Sequence, residues 1–144
     1  MSVKHAGCIP ILQNTSWSGS YQLKPYPIWD AAPMWKRGMF NGGIQVISFQ
    51  IKKPIPIGKG GMILTDDLET SKWLRKARHD SREITTFYAY DDFEFYGWHY
   101  YMTPEDAARG ILLMDAVGDQ DFPLRSSESY IDLSTKTLFK NESL

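Results

Sequence analysis

Residues 44–66, which read IQVISFQIKKPIPIGKGGMILTD, decide the fold. The run IQVISF at 44–49 is β-branched and apolar with almost no alternation, which predicts a strand covered on both faces, as in a mostly parallel sheet. A glycine-rich turn at 58–61 leads into a second predicted strand at 62–65. The loop between the two strands carries Lys53, a short distance beyond the end of the first strand.

Capping signals predict two helices later in the chain. A helix over about 67–79 would begin at Asp66, whose side chain is suited to accept hydrogen bonds from the first turn. A second helix would begin at Thr103, followed by proline at its first position, and would end at Gly118. Together with a short strand at 27–30, these elements predict an α/β protein.

Composition and charge exclude several classes of protein. The chain has 144 residues and a formal net charge of −1, so no broad positive field favours nucleic acid or an anionic membrane. Its single cysteine and its three scattered histidines argue against a disulfide framework or a metal site. With no signal peptide or membrane-spanning run, we expect a cytoplasmic location. We expect one domain over 1–120, followed by a polar, loosely held extension over 121–144.

Three residues form a chemically suggestive set. Asp30 ends one predicted strand, Ser48 lies near the end of another, and Lys53 follows in the loop. A desolvated lysine amine can attack aldehydes, a carboxylate can hold a protonated ring nitrogen, and a hydroxyl beside free N–H groups can bind phosphate. These are the groups that pyridoxal phosphate (PLP) requires. Spacing alone does not establish such a site, because lysines and glycines are common near strand ends.

Three segments carry a more specific signal: WDAAPMWKRG at 29–38, SFQIKKPIPIGKGGMILTDD at 48–67 and GWHYYMTPEDAARGILLMD at 97–115. In order and spacing they resemble the DegT/StrS-type aminotransferases, PLP enzymes that aminate keto groups on nucleotide-linked sugars. The resemblance implies part of the large domain of the PLP-transferase architecture (fold type I), an incomplete mostly parallel sheet with flanking helices.

The resemblance also implies roles for individual residues. Lys53 matches the lysine that forms a Schiff base with the cofactor, and Asp30 matches the acid that pairs with its ring nitrogen. Ser48 matches the phosphate-binding serine, while Gln50 replaces a histidine that usually follows Ser-Phe. His99 stands at the position of an asparagine that, in the family's dimers, reaches the partner's cofactor phosphate.

The family's partners would be an amino donor, a keto-sugar nucleotide and a second copy of the chain. We expect the chain to lack the family's N-terminal section and its C-terminal small domain, and therefore to be truncated and inactive alone. The alternative is a non-catalytic remnant that serves as a small module for binding sugar, phosphate or a partner. A third reading is an unrelated α/β domain that binds carbohydrate through the aromatic residues at 87–101.

Overall fold

The computed structural model describes residues 2–140. A four-stranded sheet in the order β1-β2-β3-β4 contains β1 (Tyr21–Gln22), β2 (Ile28–Asp30), β3 (Ile44–Ser48) and β4 (Gly61–Thr65). The α-helices are α1 (Ser2–His5), α2 (Leu68–Ala77), α3 (Pro104–Val117) and α4 (Thr137–Lys140). Short 3-10 turns lie at Tyr88–Tyr90, Ser127–Ser129 and Leu133–Thr135. The predicted combination of a partial sheet with helices is confirmed.

The strand directions in this sheet are mixed. Only β2 and β3 run parallel, whereas β1 pairs with β2 and β3 pairs with β4 in the antiparallel sense. The prediction of a mostly parallel sheet is therefore wrong for the described residues. The reason is the connection: the loop from β3 to β4 contains no crossover helix, and a parallel neighbour would need one.

The hydrophobic core lies on one face of the sheet. Its buried members are Ala31, Met34, Met39, Ile47, Phe49, Ile55 and Ile57, and α3 packs against them through Leu113, Met114 and Val117. On the opposite face Val46 is 36% exposed and Ile63 is 45% exposed. The expectation that β3 is covered on both faces is therefore wrong here. Burial alternates along β3 because, among the described residues, the core is built against only one face.

The two long helices have well-defined caps. The Thr103 hydroxyl accepts the first-turn N–H of Asp106, and the helix ends at Gly118, which confirms the predicted bounds of α3. At α2 the cap is Asp67 rather than Asp66, because the Asp67 Oδ1 atom accepts the N–H of Thr70 at 2.6 Å. The hydrogen bonds from Thr70 lower the pKa of Asp67 below its usual value.

The segment after α3 is bound to the N-terminal loop. The N–H of Gly19 donates to the carbonyl of Arg125 at 2.8 Å, and the N–H of Ser127 donates to the carbonyl of Trp17 at 3.0 Å. The ring of Trp17 also contacts that of Tyr130, with 5.2 Å between centroids. The expectation of a loosely held extension over 121–144 is wrong for this part. A domain boundary at 120 stays a prediction, and 141–144 lie outside the described residues.

The aromatic segment follows the end of α2. The N–H of Trp98 donates to the carbonyl of Ala77, and that of Tyr100 donates to the carbonyl of Arg78. Trp73 on α2 stacks on Phe95 with 5.3 Å between ring centroids. Several rings of this segment therefore pack against α2. None of the helices within residues 2–140 combines the length and the apolar character needed to cross a bilayer.

Candidate active site

Asp30 and Ser48 lie on the same face at the same edge of the sheet. They end the parallel strands β2 and β3, and Asp30 pairs with Val46, two residues before Ser48. Paired residues on parallel strands direct their side chains to the same face, and side chains two residues apart do likewise. The prediction that this acid and this serine belong to one site is therefore compatible with the strand register.

The carboxylate of Asp30 is held by two hydrogen bonds. Its Oδ2 atom accepts the hydroxyl of Tyr21 at 2.7 Å, and its Oδ1 atom accepts the N–H of Ala32 at 3.0 Å. Burial, and next the hydrogen bond to Asp30, raise the pKa of Tyr21 well above its usual value of 10.0. Tyr21 therefore remains a hydrogen-bond donor to the carboxylate across the neutral pH range.

The sequence analysis gave Tyr21 no role. Its segment, rich in serine, asparagine and glycine, resembles a surface loop, and β1 is only two residues long. The pairing of Tyr21 with Asp30 across the β1–β2 ladder creates the contact. No local sequence signal predicts that pairing.

Lys53 projects from a loop whose backbone is fixed at several points. The N–H of Phe49 donates to the carbonyl of Gly60, and the N–H of Gly58 donates to the carbonyl of Phe49, both at 3.0 Å. Within the loop, the N–H of Lys53 donates to the carbonyl of Gln50 at 2.8 Å. These bonds close the loop on itself and fix the backbone position of Lys53.

Gln50 is a structural element of this loop. Its side-chain Oε1 accepts the N–H of Lys52 at 2.8 Å, and its own N–H donates to the hydroxyl oxygen of Ser48 at 3.3 Å. The predicted contact of Gln50 with a cofactor therefore stays a prediction. What the geometry gives directly is a turn that connects Ser48 to the two lysines.

The glycines of the loop are required by its shape. Gly58 and Gly60 have φ values of +127° and +86°, a region that residues with a side chain rarely adopt. Gly61 begins β4 against the carbonyl of Ile47, and a Cβ at this position would collide with that oxygen. The glycine run thus permits the tight return from the lysine loop to β4.

A cleft of about 460 Å³ opens beside Lys53. The residues that line it are 52–54 with Pro33, and 122–125 with Ser129. Lys52, Lys53 and Arg125 contribute three cationic side chains to it, and no carboxylate lines it among the described residues. The chain segment after α3, for which sequence reasoning proposed no site residue, therefore forms half of this cleft.

His99 lies in a different setting. Its Nδ1 atom is 2.8 Å from Oδ2 of Asp80, and its ring meets that of Tyr101 edge-on at 4.5 Å. It forms an isolated bridge with His79 near the end of α2, and it is not among the residues that line the Lys53 cleft. Its predicted role toward a partner's cofactor involves a second copy and stays a prediction.

No group of histidine, cysteine, aspartate and glutamate side chains within residues 2–140 is arranged to hold a metal ion. At this edge of the sheet Asp30 and Ser48 offer a carboxylate and a hydroxyl, and neither residue is among those that line the cleft beside Lys53.

Comparison with solved structures defines the class of fold. The chain is similar to a crystal structure of a protein from Bacillus cereus ATCC 10987 assigned to the PLP-dependent aminotransferases, with a TM-score of 0.53 and 24% identity. The similarity covers 67% of this chain and 30% of that chain, so this chain spans about a third of its neighbour's length. The architecture is thus part of the PLP-dependent aminotransferase fold, as the sequence predicted.

The family follows from the sequence match. Residues 36–123 match the DegT/DnrJ/EryC1/StrS aminotransferase family. Because the match spans more than half of the chain, the chain belongs to this family. The predicted resemblance is confirmed. A search of curated proteins found no match.

Proposed function

We propose that this chain takes part in PLP-dependent transfer of an amino group from a donor such as glutamate or glutamine to a keto-sugar nucleotide. The observation that carries the proposal is the arrangement at the sheet edge. Asp30 and Ser48 end adjacent parallel strands with their side chains on one face, and Lys53 leaves the following turn beside a cleft. Family membership supports the same reaction class.

The residues present fit the cofactor. A carboxylate offers about four lone-pair sites, so Asp30, which accepts two hydrogen bonds, can still accept one from a protonated ring nitrogen. The hydroxyl of Ser48 accepts the N–H of Gln50, and its proton remains available to donate to a phosphate oxygen. Lys53 is half-buried and has no ion-pair partner among the described residues, so its amine is available.

Each residue then has a distinct task. When bound, PLP supplies an aldehyde that takes up an amino group and a ring that withdraws electrons from the reacting carbon. Asp30 would hold the proton on the ring nitrogen, and Tyr21, which donates to this carboxylate, would keep it oriented for the contact. Ser48 would donate to the phosphate. Lys53 would hold the cofactor through its amine, and its Nζ atom would be the base that removes a proton from the substrate and returns it.

The decisive experiment is to incubate the chain with PLP, reduce it with borohydride and locate the pyridoxyl group by peptide mass spectrometry. We expect one stoichiometric adduct at Lys53. Lys53→Ala should abolish it, whereas Lys59→Ala, a control in the exposed glycine loop, should retain it. Asp30→Asn should weaken cofactor retention without unfolding the protein, because it removes the charge that pairs with the ring nitrogen.

The outcomes separate the alternatives. A single Lys53 adduct would justify half-reactions with glutamate and glutamine, and then tests with keto-sugar nucleotides. An adduct at Lys52 would contradict the assigned register. Scattered adducts, or none, would exclude the cofactor site and favour a non-catalytic module.

A homo-oligomer and a cytoplasmic location also stay predictions.

A further inference from the structure

Strand β4 lies at an edge of the sheet, with β3 on one side and no partner strand on the other among residues 2–140. The N–H of Ile44 and the carbonyl of Val46 bond to the β2 side of β3, so the backbone groups of these two residues point away from β4. Thr65 and Ile63 are paired with them across the β3–β4 ladder. In an antiparallel ladder, such a pair directs its backbone groups outward from both strands. The N–H and carbonyl groups of Gly61, Ile63 and Thr65 therefore point to the free edge.

This edge is open to another strand. Within residues 2–140, none of the backbone-to-backbone hydrogen bonds outside the helices and ladders involves Gly61, Ile63 or Thr65. The strand reads GMILT, so it contains no charged residue and no proline, the residues with which natural edge strands avoid pairing. A row of free N–H and carbonyl groups on such a strand is a template for a further strand.

A second copy of β4 fits this edge. When two copies pair antiparallel about an axis at Ile63, each Ile63 lies opposite the other, and Gly61 lies opposite Thr65. All three residues direct their backbone groups to the edge, so each of these groups meets a partner in the other copy. Met62 lies opposite Leu64 on the face of the sheet that carries the core, and both side chains already pack against that core. A register shifted by one residue would leave the outward groups without partners.

Apolar contact and charge also match in this register. Ile63 and its ladder partner Val46 are exposed on the face of the sheet opposite the core, and the axis places the Ile63 of the second copy beside the first. Lys59, two residues before β4, comes near Asp67, two residues after β4, in the other copy. Because the axis repeats this approach, opposite charges meet at both ends of the paired strands. The apolar centre and the charged ends therefore favour a second copy over an unrelated strand.

We propose that two copies of this chain associate through their β4 edges and form one sheet that continues from one copy into the other. The two-fold axis uses each β4 edge once, so the assembly closes as a dimer. At the opposite edge of the sheet, β1 is only two residues long, and such short edge strands resist further pairing. The association goes beyond the transfer reaction and requires no cofactor.

Sedimentation velocity of the cofactor-free chain over a range of concentrations measures the association, and we expect a concentration-dependent dimer. Ile63→Pro removes the outward N–H and places a ring at the edge, whereas the ladder with β3 is retained because this N–H does not point to β3. The substitution should weaken association at least about tenfold. Ile63→Val keeps the N–H and a branched apolar side chain, so this matched control should dimerise like the unmodified chain.

Cross-linking tests the register without relying on the proline variant. In a chain whose exposed native cysteine is replaced, Cys8→Ser, the substitution Ile63→Cys places two thiols on the axis. The Cα atoms of a hydrogen-bonded antiparallel pair lie about 5.5 Å apart, which a disulfide can span. Thr65→Cys is the control in the same strand, since the two copies of residue 65 lie about 14 Å apart in this register. Mild oxidation should therefore join Ile63→Cys into a covalent dimer and leave Thr65→Cys monomeric on a denaturing gel.

The outcomes decide between this edge and other surfaces, once circular dichroism has verified that each variant is folded. A chain that stays monomeric at every concentration overturns the proposal. A dimer that is equally tight in Ile63→Pro and Ile63→Val uses another surface and also overturns it, as does oxidation that joins Thr65→Cys as readily as Ile63→Cys. None of these results depends on the Lys53 adduct, so the dimer and the transfer function can fail separately.

Discussion

Replacing Tyr21 with phenylalanine removes one hydroxyl and leaves the ring in place. The lost contact is the 2.7 Å hydrogen bond to Oδ2 of Asp30. Hydrogen bonds to charged groups contribute about 1.5–3 kcal/mol to stability. Because this pair is only partly buried, water can replace part of the interaction, and we expect a loss of about 1–2 kcal/mol in the free energy of unfolding.

The same substitution should change the response to alkaline pH. Burial raises the pKa of Tyr21 in the folded protein, and the hydrogen bond to Asp30 adds to this effect. The neutral phenol therefore contributes stability that is fully present below the ordinary tyrosine pKa of 10.0 and is lost as the pH rises through the folded value. The difference in the free energy of unfolding between the native chain and Tyr21→Phe should be constant near neutral pH. It should shrink as the pH rises above the ordinary tyrosine pKa of 10.0.

Urea unfolding followed by circular dichroism measures both effects. A loss of this size would lower the urea midpoint by about 0.5–1 M for a small domain. Tyr26→Phe is the control, since Tyr26 is 55% exposed and no hydrogen bond of its hydroxyl is present among the described residues. If Tyr21→Phe unfolds with the same midpoint as Tyr26→Phe, the hydrogen bond does not stabilise the acid and the reasoning is refuted.

Two further substitutions test the packing and the caps. Ile55→Ala should lower the free energy of unfolding by about 2–5 kcal/mol, because Ile55 is buried in the core. Ile51→Ala, on the exposed part of the same loop, should have little effect. Thermal and urea unfolding of the two variants would measure the difference. Asp67→Ala should destabilise the protein more than Asp66→Ala, and this difference should disappear as the pH falls through the lowered pKa of Asp67. Equal effects of the two aspartate substitutions at neutral pH would contradict the cap seen at Asp67.

Local signals predicted those parts of the fold that depend on neighbours in sequence. The bounds of α3 follow from Thr103 and Gly118, which act within one helical turn. At α2 two adjacent aspartates offer the same chemistry. Only the backbone decides between them, because β4 continues through Thr65 and the extended residue that opens the helix is Asp67.

Features that depend on distant pairing could not be predicted. The antiparallel pairing of β3 with β4, and the exposure of Val46, follow from how elements meet in space. At the site, Ser48 and Lys53 lie within residues 36–123, which match the family, whereas Asp30 precedes them and is selected only by its resemblance to the family's acid. Arg125 could not, since its contribution to the cleft arises from the contact of its segment with Gly19.

The pairing of the N-terminal loop with the segment after α3 gives the two parts of the cleft separate supports. The hydrogen bond between Gly19 and Arg125 and the contact of Trp17 with Tyr130 hold the segment after α3, whereas the lysine loop is closed by its own bonds. A substitution that weakens the pairing with the N-terminal loop would therefore open the cleft and leave the lysine loop in place.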